Sequence, residues 1–124
     1  MPTPAILWDV DGTLVDTAEQ HFRAWAAFAA EIGQPFTRAH FAASFGMRNP
    51  EIVRMLFDAN ASDERCAEWG ERKEQLYRAS VRSGGVELLP GVARLLAEFA
   101  ATGWKQAVGS SAPLGNLELL LGVT

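Results

Sequence analysis

The chain has 124 residues, 48% of them apolar and four of them tryptophan, enough for one small domain with a buried core. Eleven basic against fifteen acidic residues give a formal net charge of −4; with no basic stripe or polybasic patch, nucleic acid and membrane surfaces are excluded as partners. The single cysteine, Cys66, excludes an internal disulfide. No apolar run approaches the roughly 20 residues a membrane span needs. The segment "MPTPAILWDVDG" lacks the basic n-region of a secretory signal, so the expected compartment is the cytoplasm.

Ala5 to Trp8 is a short continuous apolar run, expected to be a strand buried on both faces of a parallel sheet. Asp9 and Asp11 follow at its C-terminal end. From Thr17 the period becomes helical: Phe22, Trp25, Ala29 and Ile32 share a face, Asp16 or Thr17 caps the start, and Gly33 stops the helix. A second helix is expected from Thr37, with Phe41 and Phe45 inward and a break at Gly46. A third opens with Asn49 as cap and Pro50 at the first helical position, and carries Ile52, Val53, Leu56 and Phe57. Ser62 caps a fourth, with Cys66, Trp69, Lys73, Leu76, Tyr77 and Ser80 along one side up to the Gly84-Gly85 pair. Residues 17 to 83 therefore read as all-helical.

Beyond "GGVELLPG" a helix carries Val92, Leu95, Leu96 and Phe99 and closes at Gly103. Trp104 to Ser111 reads as a second strand, and a last helix from Pro113 is expected to bury Leu114, Leu117, Leu120 and Leu121. Laid side by side in parallel, the two strands carry Asp9, Asp11, Ser110 and Ser111 to one edge, where open α/β sheets bind ligands.

Acids at positions i and i+2 past a strand divide labour when Gly12 bends the chain between them and the next element. Asp9 can stay ionised as a metal ligand or nucleophile, while Asp11, beside another anion, can carry a proton. The hard cation that suits carboxylates and a phosphate substrate is Mg²⁺. Gly12 and Thr13 can offer backbone N–H groups to phosphate oxygens as a small anion nest, and the Ser110 hydroxyl can add a hydrogen bond. An Asp-x-Asp-Gly sequence is also an ordinary turn. A calcium loop is disfavoured, because its further acids and closing Glu are missing.

"DVDGT" after an apolar strand resembles the first signature of the haloacid dehalogenase superfamily, and "AVGSS" its second. "DTAEQHFRAW", "GERKEQLY" and "PGVARLLAEFAATGWKQAVGSS" are similar to segments of its β-phosphoglucomutase-like branch of sugar phosphatases and phosphomutases. The resemblance implies an α/β, Rossmann-like core from residues 1–15 and 87–124, interrupted by an inserted α-helical cap over residues 16–86. It implies Asp9 as the nucleophile that becomes aspartyl-phosphate and Asp11 as general acid and base. Mg²⁺ would be held by the Asp9 carboxylate and the Asp11 main-chain carbonyl, and the transferring phosphoryl group by Ser110 with Ser111. The implied substrate is a small phosphorylated sugar.

Three residues of the cap segment are candidates for substrate contact. His21 matches a histidine that couples cap closure to proton transfer at Asp11; its alternative is an inert surface imidazole. Lys73 matches a cap lysine of the mutases; its alternative is an ammonium snorkelling along the Trp69–Tyr77 stripe to water. Arg48 can grip a phosphate or sugar, or be an ordinary surface arginine. Trp25, Trp69 and the Leu stripe of the last helix read as core, and His40 and Cys66 carry no functional signal.

The sequence also departs from the branch. Thr13 is the commoner choice in phosphatases, the mutase Gly-x-Ser-Arg is replaced by Gly46-Met47-Arg48-Asn49, and Pro113-Leu114 stand where mutases have Lys-Asn. The lysine of the third signature and the acidic pair of the fourth have no counterparts here. The chain thus reads as an N-terminal portion with an incomplete core, little turnover alone, and a sheet edge open to self-association. Beside hydrolysis stand a β-phosphoglucomutase-type transfer, a non-catalytic oligomerising fragment and, less suited to so large a helical insertion, a phospho-acceptor signalling domain.

Overall fold

The structure, a computed structural model, describes residues 4–110 and 113–123. Its elements run β1 (Ala5–Trp8), α1 (Ala18–Glu31), α2 (Arg38–Ser44), α3 (Asn49–Leu56), α4 (Asp63–Gly84), α5 (Val92–Ala101), β2 (Lys105–Val108) and α6 (Leu114–Val123). They form two compact units, Met1–Ala18 with Gly84–Thr124, and Glu19–Ser83. Among the described residues no helix is long and apolar enough to cross a membrane.

In the first unit β1 and β2 pair in parallel, from Ala5 opposite Lys105 to Trp8 opposite Val108, as the sequence leads one to expect. The pair is tied to α5 by polar and aromatic contacts together. Trp8 Nε1 donates to Gln106 Oε1 at 2.9 Å, Gln106 Nε2 donates to the Leu96 carbonyl at 3.0 Å, and the Trp8 ring meets Phe99 edge-on at 6.2 Å. Val10, Leu14 and Val15 are buried just past β1, and the Leu89 N–H donates to the Leu14 carbonyl at 2.9 Å.

Burial of β1 on both faces is not what forms. Exposure alternates along the strand and Leu7 is 73% exposed, because among the described residues the sheet has two strands and β1 is covered on the Ile6 and Trp8 side alone. The last helix departs likewise: Leu120 is buried, whereas Leu114 is 70% exposed and Leu121 is also exposed.

The second unit packs α1, α3 and α4 around Trp25, Phe28, Ala29, Ile52, Val53, Phe57, Ala61 and Cys66. Burying each of the large apolar side chains in this cluster contributes about 1.5–3 kcal/mol. The rings of Phe28 and Phe57 lie 5.4 Å apart edge-on, and Trp25 stacks on Phe57 at 5.8 Å. Helix α2 starts from a reciprocal cap: the His40 N–H donates to Thr37 Oγ1 at 3.2 Å, and the Thr37 N–H donates to His40 Nδ1 at 3.1 Å. Phe45, expected inward, is 68% exposed, since α2 ends at Ser44 and the backbone turns extended there before Gly46.

Asn49 is not the cap of α3. Arg48 takes that place with extended backbone and no side-chain cap bond, while Asn49 is already helical and its amide is used elsewhere. Ser62 caps α4 as expected, its Oγ accepting from the Arg65 N–H at 3.1 Å.

Candidate active site

The first unit builds the turn "DVDGTLV" around one carbonyl. The Val10 oxygen accepts from the N–H groups of Thr13, Leu14 and Val15 at 3.1, 2.9 and 3.2 Å. The Gly12 N–H donates to the Val15 carbonyl at 2.8 Å, and Gly12 takes φ +75°, a conformation that a Cβ would strain. Apolar Val10, Leu14 and Val15 anchor the turn, which leaves Asp9, Gly12 and Thr13 exposed and Asp11 half-buried.

The N–H groups of Gly12 and Thr13, expected to face phosphate oxygens, both donate within their own turn, to the Val15 and Val10 carbonyls.

Asp9 follows β1 directly, its Oδ1 accepting from the Val10 N–H at 2.9 Å. The parallel ladder runs one step past its last strand pair, the Gly109 N–H donating to the Trp8 carbonyl at 2.7 Å. That step sets Asp9 and half-buried Ser110 at the C-terminal edge of adjacent strands. Gly109 allows the approach: a Cβ there would lie 3.1–3.2 Å from the Leu7 side chain. Ser111 lies outside the described residues.

Asp11 has a partner that the sequence pattern does not announce. The Thr17 hydroxyl donates to Asp11 Oδ1 at 2.6 Å, and Thr17 is 2% exposed. So short a bond fits a charged acceptor and fixes the carboxyl's orientation. Capping of α1 falls to Asp16, whose Oδ1 accepts from the Ala18 N–H at 3.4 Å.

The donor set at this edge is hard oxygen, which is the chemistry of a Mg²⁺ site. Among the described residues no three His, Cys, Asp or Glu side chains gather to hold a metal. Asp9 and Asp11 are the two carboxylates of this edge whose oxygens would suit such a cation.

The second unit assembles its own polar group from three helices. Lys73, 3% exposed, places Nζ 2.8 Å from His21 Nδ1 and donates to Glu74 Oε1 at 2.7 Å. The same Oε1 accepts from Asn49 Nδ2 at 3.2 Å. The His21 ring stacks on Tyr77 at 4.1 Å, and the ammonium lies 5.3 and 5.4 Å from the Trp25 and Tyr77 ring centres. Lys73 does not snorkel to water. His21 and Lys73 are brought together, while Arg48 is exposed at the start of α3, next to Asn49. Thr17, Asn49 and Glu74 are the residues that sequence reasoning missed. Glu74 in "RKEQ" looks like a solvated helix charge, and Asn49 before Pro50 looks like a cap.

The profile of the family described as haloacid dehalogenase-like hydrolase matches residues 3–122. The chain is 31% identical to the protein CbbY of Rhodobacter capsulatus over 130 residues, covering all of this chain and 57% of that one. It is 28% identical to the β-phosphoglucomutase of Bacillus subtilis, covering 86% of this chain and 50% of that enzyme. A crystal structure of a CbbY variant from Rhodobacter sphaeroides in complex with xylulose 1,5-bisphosphate superimposes with a TM-score of 0.85 at 27% identity, over 98% of this chain and 57% of that one. The chain spans about half the length of the relatives it matches.

Proposed function

Because this chain belongs to the haloacid dehalogenase-like hydrolases, we propose that it carries the nucleophile half of a Mg²⁺-dependent phosphatase of small phosphorylated sugars. The observation that carries the reading is the pairing at one strand end of an exposed Asp9 with an Asp11 oriented by the Thr17 hydroxyl. A Rossmann-like parallel edge with two differently held carboxylates suits phosphoryl transfer in two displacements.

In the first step an Asp9 carboxylate oxygen attacks phosphorus in line, the bond from phosphorus to the sugar oxygen breaks, and Asp11 gives its proton to that oxygen. In the second step water attacks the aspartyl-phosphate, Asp11 takes its proton, and the bond from phosphorus to Asp9 breaks to release inorganic phosphate. Ser110 would hydrogen-bond the phosphoryl group. Mg²⁺ at the Asp9 carboxylate and Asp11 carbonyl would offset the negative charge shared by nucleophile and phosphate. His21, Lys73 and Arg48 are the substrate-contact candidates within the second unit.

A sugar phosphate is supported by the relatives, one named β-phosphoglucomutase and one solved with a pentulose bisphosphate. The mutase name keeps a second reading in view, in which a sugar hydroxyl replaces water in the second step.

The test is phosphate release from a panel of sugar monophosphates with Mg²⁺, on the chain and on Asp9→Asn. Release that needs Mg²⁺ and disappears in the variant supports hydrolysis. Interconversion of glucose phosphates without release supports the mutase, and release unaffected by the substitution removes Asp9 as nucleophile.

A further inference from the structure

Lys73 and Glu74 are consecutive on α4, where side chains one position apart leave the helix in directions about 100° apart and do not normally pair. Here both bend to a common point and are 3% exposed. A buried pair of this kind loses much of its attraction to desolvation, so it survives on geometry and on the extra hydrogen bonds around it. Those bonds come from two other helices: His21 of α1 at 2.8 Å from the ammonium, and Asn49 of α3 at 3.2 Å from the carboxylate. Gly70, one turn earlier on α4, leaves the room Asn49 uses, its missing Cβ position lying 3.4 Å from Asn49 Cβ and 3.5 Å from Nδ2.

We propose that Glu74 is the positioning residue of the cap: its Oε1 holds the Lys73 ammonium beside His21 and, through Asn49, ties it to the α3 start that carries Arg48, setting one grip for a phosphate ester. The inference rests on the reading of Lys73 as a substrate contact and adds what fixes its place. Without the carboxylate the ammonium keeps its ring contacts and its approach to His21 and loses the bond to Oε1, and Asn49 in the first turn of α3 loses its hydrogen bond to α4. Glu74 itself touches no substrate.

The test titrates glucose 6-phosphate against the folded chain, followed by NMR of the 48–50 and 73–77 backbone amides, with melting temperature recorded in parallel. Lys73→Met, Glu74→Gln, Asn49→Ala and the double variant of Lys73 and Glu74 are compared. Expected are weakening of about tenfold in Lys73→Met and in Glu74→Gln, a smaller loss in Asn49→Ala, and no further loss in the double variant beyond Lys73→Met alone. A purely structural Glu74 would lower the melting temperature and leave the affinity of the folded protein unchanged, which overturns the proposal. Additive losses in the double variant overturn it as well. Unchanged binding in Lys73→Met, or none by the unsubstituted chain, sinks the substrate role of Lys73 and the inference with it. Should Glu74→Gln not fold, Asn49→Ala decides, since it cuts the same tie and leaves the ion pair in place.

Discussion

The Thr17 hydroxyl and the Asp11 carboxylate are joined by a 2.6 Å hydrogen bond across six residues of chain, from the first unit's turn to the residue before α1. It is the contact that distinguishes the second acid of the motif from the first. Replacing Thr17 by Val keeps the shape and removes the hydroxyl that donates to Asp11 Oδ1. The expected result is a loss of about 1–3 kcal/mol in stability. In a chain that turns over, kcat falls more than KM rises, measured by phosphate release. An unchanged kcat would show that the bond orients nothing the reaction uses.

Gly12 is set apart by backbone and not by space: φ is +75° and nothing lies within 4 Å of a Cβ built there. Gly12→Ala should therefore cost about 1–2 kcal/mol from conformation alone. Denaturant unfolding measures it, and a neutral result would mean the turn can relax to negative φ.

Glu19 accepts two bonds from Arg38, at 2.7 and 2.9 Å, and one from Arg23 at 3.2 Å. The Arg38 hydrogen bonds hold its carboxyl below the usual carboxylate range. A depressed carboxylate stabilises above its unfolded pKa and loses that contribution as pH falls through the folded one. Glu19→Gln should then be less stable than the unsubstituted chain at neutral pH, with the gap closing in acid below the ordinary carboxylate range. A gap constant with pH would count against the ion pair. The group is exposed, so the effect is small.

Leu7, Leu114 and Leu121 stand exposed in the first unit, and among the described residues β1 and β2 form a two-stranded sheet. We expect the chain to self-associate through this surface. Light scattering over a range of concentrations should show mass rising with concentration, and Leu7→Ser should reduce it. A constant monomer mass would refute this.

Much of this fold is legible in the sequence because apolar period and cap chemistry act locally. The Ser62 cap and the Gly33 and Gly103 stops follow from neighbours in sequence, whereas the parallel pairing of β1 and β2 joins apolar runs far apart in the chain. Leu7, Phe45 and Leu114 show the limit: apolar character says that a side chain prefers cover, and says nothing about whether an element arrives to supply it. The site divides in the same way. Asp9 and Asp11 are read from a motif, whereas Thr17 reaches Asp11 through an irregular turn with no period. Asn49 prefers a cap by propensity, and a carboxylate 25 residues on takes its amide instead.

The Val10 carbonyl, with three N–H groups converging on it, bears on how a ligand would be received. Ordering a residue's backbone costs about 1–2 kcal/mol of conformational entropy. In residues 10–15 that cost falls on folding, since the turn's own carbonyls and amides already hold one another. A phosphate ester bound at Asp9, as proposed, would have no freezing of residues 10–15 to offset.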